Sequence, residues 1–113
     1  MDCIFCKIVE GIIPSKKVYE DEFVYAFEDI ERASPTHILI VPKKHFETIL
    51  DIGQEDSNLI SAVFMAANKI AKKLNFEKKG FRIVANCKED GGQTVFHVHF
   101  HLLAGRKMLW PPG

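Results

Sequence analysis

The 113-residue sequence holds no uninterrupted apolar run near the roughly 18 to 20 residues that span a bilayer, so a transmembrane helix is excluded. Its opening, Met-Asp-Cys-Ile-Phe-Cys-Lys, lacks a basic stretch leading into an apolar one, so no secretory signal is expected in the chain as given and the expected location is the cytoplasm. Neither sign of charge prevails. Fifteen basic residues balance fifteen acidic ones, which leaves no electrostatic reason for general affinity to nucleic acid or to an anionic membrane. Cysteine is scarce and odd in number, with Cys3, Cys6 and Cys87 alone, which argues against a disulfide framework and for reduced thiols or metal ligands. Repeats, linkers and blocks of like charge are missing too, so residues 1–113 read as one domain.

What is present is an ordinary globular balance, 47% hydrophobic and 27% charged, enough to build one core. Cys3 to Val9 predicts a short opening helix that stops at Gly11 and Pro14. Val18 to Glu20 and Phe23 to Phe27 predict two strands around a tight turn. His37 to Val41 is a near-continuous aliphatic run, read as a central strand covered on both faces and closed by Pro42. From about Gly53 to Leu74, apolar residues at Leu59, Val63, Ala66, Ala67, Ile70 and Leu74 have helical spacing, with Asp56 or Ser57 near the start. A second apolar set, Ile60, Phe64 and Ala71, lies off that stripe. Phe81 to Ala85, the turn Lys88 to Gly92, and Val95 to Leu103 predict an antiparallel hairpin. The fold class is α+β: an antiparallel meander of about five strands with one long and one short helix.

The outstanding chemical feature is His97-Val98-His99-Phe100-His101, three of the five histidines in alternation. On a strand these three imidazoles share one face while Val98, Phe100 and Leu102 bury the other. The outer two are about 13 Å apart at roughly 3.3 Å per residue, too far for one metal ion to hold all three, so the set is expected to divide into separate roles. A neutral imidazole is a good nucleophile toward phosphorus, which brings phosphoryl chemistry into view. Just upstream, Asp90-Gly91-Gly92-Gln93-Thr94 offers paired glycines for close approach to an anion, with Gln93 and Thr94 as side-chain donors. Cys3-x-x-Cys6 has the spacing of a zinc knuckle or of a redox pair; redox fits poorly because no strand precedes it. Zinc needs two more ligands, and His45 with one histidine of the strand supplies them. Cys87 reads as a plain small side chain at a strand end.

These residues resemble the histidine triad family, in its branch of small nucleotide-binding phosphoramidases. The resemblance rests on Asp29-Ile30, Pro35-Thr36-His37, Val41-Pro42-Lys43-Lys44-His45, Gly91-Gly92-Gln93-Thr94, the alternating histidines and the ending Trp110-Pro111-Pro112-Gly113. It implies a purine nucleotide substrate, with the P–N or mixed-anhydride bond of an AMP or GMP derivative cleaved after attack by His99, and no organic cofactor. His101, His37, Gln93 and Thr94 would contact the phosphate, and the backbone carbonyl of His97 would fix the tautomer of His99. Ile4, Phe5, Ile8, Phe27 and Ile30 would form the slot for the base, Asp29 would take the ribose hydroxyls, and Asn86, Gly92 and Val95 would complete the pocket. The zinc-bearing members imply a structural site of Cys3, Cys6, His45 and His97. The family also implies a homodimer, for which Ile60, Phe64 and Ala71 are a natural contact.

Two positions depart from the branch: Thr94 stands where much of it has serine, and the acidic Glu28 where some members carry histidine, beside the expected purine slot. Competing readings are a zinc hydrolase in which His97 and His99 share a catalytic ion, a dinucleoside polyphosphate hydrolase, and a nucleotide-binding interaction module with weak activity.

Overall fold

The computed structural model describes residues 2–113. A five-stranded antiparallel sheet carries one long helix and a short N-terminal one, so the expected α+β class holds. The elements run α1 (Ile4–Val9), β1 (Lys17–Glu20), β2 (Val24–Glu28), β3 (Thr36–Pro42), α2 (Ser57–Lys73), β4 (Arg82–Val84), α3 (Lys88–Gly91) and β5 (Phe100–Ala104), with two 3₁₀ turns at Ile49–Asp51 and Gln54–Asp56. Among the described residues no helix is long and apolar enough to cross a membrane.

The strand order is β1-β2-β3-β5-β4. The first three strands follow one another as a meander, but the last two exchange places: β5 pairs with β3 and β4 takes the edge. The expected hairpin of the last two strands is therefore an antiparallel pair closed by a long connection instead of a tight turn. Within that connection, Lys88–Gly91 is a single helical turn, ended by Gly92 at φ +80°, a left-handed cap that glycine adopts without steric penalty. The final strand begins at Phe100, five residues later than expected. The Val98 N–H donates to the Phe46 carbonyl outside the ladder, so the chain from Val95 to His99 runs without a strand partner.

Alternation along the strands sorts two apolar clusters onto opposite faces of the sheet. Val24, Ala26, Ile38, Ile40, Phe100 and Leu102 pack under α2 against Leu59, Val63, Ala67 and Ile70. Leu39, Val41 and Phe27 point the other way and pack with Cys3, Phe5 and Ile8 of the N-terminal segment. The long helix departs from expectation at its end. Ala71 is fully buried in the main cluster and so is unavailable as a dimer contact, whereas Leu74, expected in the core stripe, is 44% exposed. The helix stops at Lys73, and Asn75 at φ +63° turns the chain back so that the Phe76 N–H bonds to the Ala71 carbonyl. Leu74 thus lies past the last residue that follows the helical stripe.

Candidate active site

The site is built on the sheet face opposite α2. His37 in β3 shares the parity of Leu39 and Val41, and His101 in β5 is opposite to Phe100 and Leu102, so both imidazoles leave the core. The register pairs His37 with Leu103 and Leu39 with His101, which makes the two histidines diagonal neighbours on one face. Their rings lie 5.1 Å apart between centroids, with His37 Nε2 2.9 Å from His101 Nδ1.

Hydrogen bonds settle which nitrogen of each ring carries the proton. The Ala33 N–H donates to His37 Nδ1 at 3.0 Å, so the His37 proton sits on Nε2, from which it donates to His101 Nδ1. The remaining His101 proton is then on Nε2, directed as a donor. His99 works in the opposite sense. Its Nδ1–H donates to the His97 backbone carbonyl at 2.8 Å, leaving the ring's lone pair on Nε2. The His99 and His101 rings are 5.1 Å apart, and Phe5 meets His99 edge-on at 5.1 Å and His97 at 5.9 Å.

His97 is fully buried and belongs to a different group. Its Nε2–H donates to the Pro42 carbonyl at 2.8 Å, so Nδ1 presents a lone pair to Cys3 Sγ at 3.3 Å, Cys6 Sγ at 3.5 Å and His45 Nδ1 at 3.0 Å. A tetrahedral ion with bonds of about 2.0 to 2.3 Å places sulfur and nitrogen ligands about 3.5 Å apart, close to these separations. The donor set Cys3, Cys6, His45 and His97 therefore fits a metal ion. Burial, then the neighbouring Cys3, pushes the Cys6 thiol up to about 11, so a compensating cation is needed to hold Cys6 as a thiolate. His99 is not among these four, which removes the geometry required for a catalytic ion shared by His97 and His99. In a second group of possible ligands, Asp29, His37 and His101, the single His37 Nε2 proton is already donated to His101 Nδ1.

Phe5, Ile8 and Phe27 are packed together beside these histidines, with Phe5 edge-on to Phe27 at 5.8 Å and Val95 resting against the same cluster. Ile4 and Ile30 lie outside that cluster, 50% and 95% exposed. Asp29 Oδ2 is 3.4 Å from His37 Nε2, while its Oδ1 accepts the Glu31 N–H. Glu28 corrects an expectation. It shares the parity of Val24 and Ala26 and lines a cavity of about 290 Å³ with Lys17 and Lys73, on the α2 side of the sheet and away from Phe27.

Gln93 is a second correction. Its amide donates to the Glu47 and Val95 carbonyls at 2.7 and 3.0 Å and accepts the Lys88 N–H, and its own N–H bonds to the Lys88 carbonyl. Gln93 thus shapes the turn and has no donor left for an anion. Thr94, next to it, is exposed, and Asn86 is half-buried at the end of β4. Sequence reasoning had no access to three backbone groups that organise this face: the Ala33 N–H and the carbonyls of Pro42 and Glu47. Residue type carries no trace of them.

The family model for the HIT domain matches residues 10–108. The chain belongs to the HIT domain family. This HIT protein is 40% identical over 107 residues to the purine nucleoside phosphoramidase of Escherichia coli (strain K12), across 95% of this chain and 90% of that one. Among solved structures it is similar to a HIT family hydrolase from Legionella pneumophila Philadelphia 1, with TM-score 0.96 and 47% identity, covering 99% of this chain and all of that one. A histidine triad protein from Clostridium difficile superposes with TM-score 0.93 and 51% identity, over 96% and 95% of the two chains. Cys3 and Cys6 precede the family match, so the cysteine half of the metal group is an addition to the family's matched segment.

The buried imidazoles of this HIT protein carry a pH signature. Burial first, and then the neighbouring His99 and His37, pushes His101 from the ordinary 6.5 down to about 4; burial also lowers His37, against the pull of Asp29. Between those two pH values the unfolded chain binds more protons than the folded one, so stability is complete above pH 6.5 and falls as the pH drops toward 4. Urea unfolding across this window should show that loss in the native chain and a shallower loss in His101→Gln.

Proposed function

We propose that this HIT hydrolase is a purine nucleoside phosphoramidase or nucleotidyl hydrolase that cleaves the P–N or mixed-anhydride bond of AMP or GMP derivatives through a covalent nucleotidyl-histidine. The observation that carries this reading is the His99 tautomer: with Nδ1–H tied to the His97 carbonyl, Nε2 is an unprotonated nucleophile held in one orientation. Such a ring attacks the α-phosphorus, the P–N bond breaks, and the amine leaves with a proton. Water supplies that proton, and His101 Nε2–H, fixed by His37, donates a hydrogen bond to the phosphate oxygens. Water then displaces His99 and releases the nucleoside monophosphate. Thr94 gives the phosphate a hydroxyl contact, Phe5, Ile8 and Phe27 take one face of the base, and Asp29 takes the ribose hydroxyls. The 40% identity to a purine nucleoside phosphoramidase supports the substrate class.

In the same reading the metal is zinc, held by all four ligands with no position open to substrate or water, and it supplies folding energy instead of chemistry. Ile60 and the exposed Phe64 of α2 remain the contact for a homodimer, now without Ala71. The single HIT domain works in the reducing cytoplasm, where its three cysteines stay out of disulfides.

His99→Ala should lower kcat/KM toward an adenosine or guanosine phosphoramidate by at least ~10³-fold while leaving nucleotide binding largely intact, because the lost bond forms only during reaction. If dinucleoside polyphosphates prove the better substrates of the native chain, the phosphoramidase reading fails. Elemental analysis of protein purified without added metal should give one zinc per chain, and Cys3→Ser should lower thermal stability more than turnover per folded molecule.

A further inference from the structure

Four observations concern the N-terminal thiol pair apart from any metal. Cys3 is the N-cap of α1 and Cys6 lies in its first turn, with the Cys6 N–H donating to Cys3 Sγ at 3.4 Å. Residues three apart on a helical turn have Cβ atoms about 5 to 6 Å apart, near enough for a disulfide to close after a modest inward shift. Cys3, together with His45, which contacts Cys6 Sγ at 3.4 Å, also lines a cavity of about 520 Å³ that opens to solvent and is shared with Thr94 and Val95. The same helix carries Phe5, which meets both His97 and His99, and Ile8, which packs with Phe27. Finally, the large cluster under α2 is on the other face of the sheet and contains none of these residues.

We infer that Cys3 and Cys6 form a reversible oxidation site through which a small peroxide switches off nucleotide binding without unfolding the sheet. Cys3, buried but on the cavity wall, is within reach of an oxidant as small as hydrogen peroxide. Its sulfur attacks one oxygen of hydrogen peroxide, the O–O bond breaks, and a sulfenic acid forms as the other oxygen leaves as water. Cys6 then attacks the Cys3 sulfur, the S–O bond breaks, and a second water leaves. Two thiols have given two electrons to one peroxide and become one disulfide. A disulfide is a poor metal ligand, so any ion held with His45 and His97 is released. The His97 ring loses its partners on one side, and α1 loses the anchor that keeps Phe5 against His99. A dithiol reductant reverses the change by thiol–disulfide exchange.

The oxidation half of this inference stands on the thiol geometry alone; the loss of binding rests on the nucleotide reading above. The experiment treats the metal-loaded protein with hydrogen peroxide. It follows intact mass, free thiols, metal released to a chromogenic chelator, AMP and GMP affinity, and the circular dichroism of the sheet. The expected result is loss of two hydrogen masses and two of the three thiols, with metal release and nucleotide affinity weakened at least ~10-fold. The sheet signal should persist and dithiothreitol should restore binding. Cys87→Ser should behave identically, retaining no free thiol after treatment. The inference is overturned if Cys3 and Cys6 stay reduced or go to higher acids without joining, or if the disulfide forms and affinity is unchanged. Should the reduced protein bind neither AMP nor GMP, it is the nucleotide reading that fails, and mass and metal release still judge the disulfide.

Discussion

The hydrogen bond from His99 Nδ1–H to the His97 carbonyl, 2.8 Å long, is the constraint on which the site depends. It selects one tautomer of a ring that otherwise has two, and it needs a carbonyl that does not move. His97 is held for that purpose from two directions. Its Nε2–H is tied to Pro42 at the end of β3, and its Nδ1 faces two sulfurs and a third imidazole. The candidate metal group and His99 are thus served by two ends of one residue, the first by the side chain of His97 and the second by its backbone. Of the alternating histidines, His101 is paired within β5, whereas His97 and His99 precede the strand. Freed from the ladder, the His97 carbonyl is available to accept from a side chain.

The sheet keeps stability and chemistry on separate faces. Aliphatic residues of β2, β3 and β5 are sealed under α2, where burial supplies most of the folding energy. The other face has a smaller apolar cluster and a row of imidazoles, among which burial lowers the pKa of His37 and His101 by penalising their charged forms. A neutral His101 donates a hydrogen bond from Nε2 without adding a fixed positive charge. A helix as short as α1 has little stability of its own, and the Cys3–Cys6–His45–His97 group fastens it where its aromatic ring is needed.

Much of this was legible in the sequence, and the gaps have physical reasons. Helical spacing located α2 and its buried residues as far as Ile70, because periodicity reports a continuous face. It misplaced Ala71 and Leu74, because it cannot see where a helix stops. Period two put the three histidines on the side opposite Val98, Phe100 and Leu102, and the same rule applied at Phe27 would have turned Glu28 away from the purine slot. The metal group was legible because its chemistry resides in residue types. Gln93 was misread as an anion donor because its partners are carbonyls, one of them 46 residues away at Glu47. The Ala33 N–H that sets the His37 tautomer leaves no mark in the sequence at all. Strand order escaped for a related reason: the placement of β5 between β3 and β4 is decided by which edge is left free once α2 has crossed, not by the strands' own residues.

Direct attack of an oriented His99 on phosphorus, as proposed above, has a stereochemical signature. A nucleoside phosphoramidate chiral at phosphorus, hydrolysed in isotopically labelled water, tests it without any substitution in the protein. Two successive displacements, first by His99 and then by water, each invert the centre and give net retention of configuration. That is the result expected here, accompanied by a nucleotidyl label on His99 in rapidly quenched reactions. Net inversion would contradict it, since a single attack by water would leave His99 with the role of a general base.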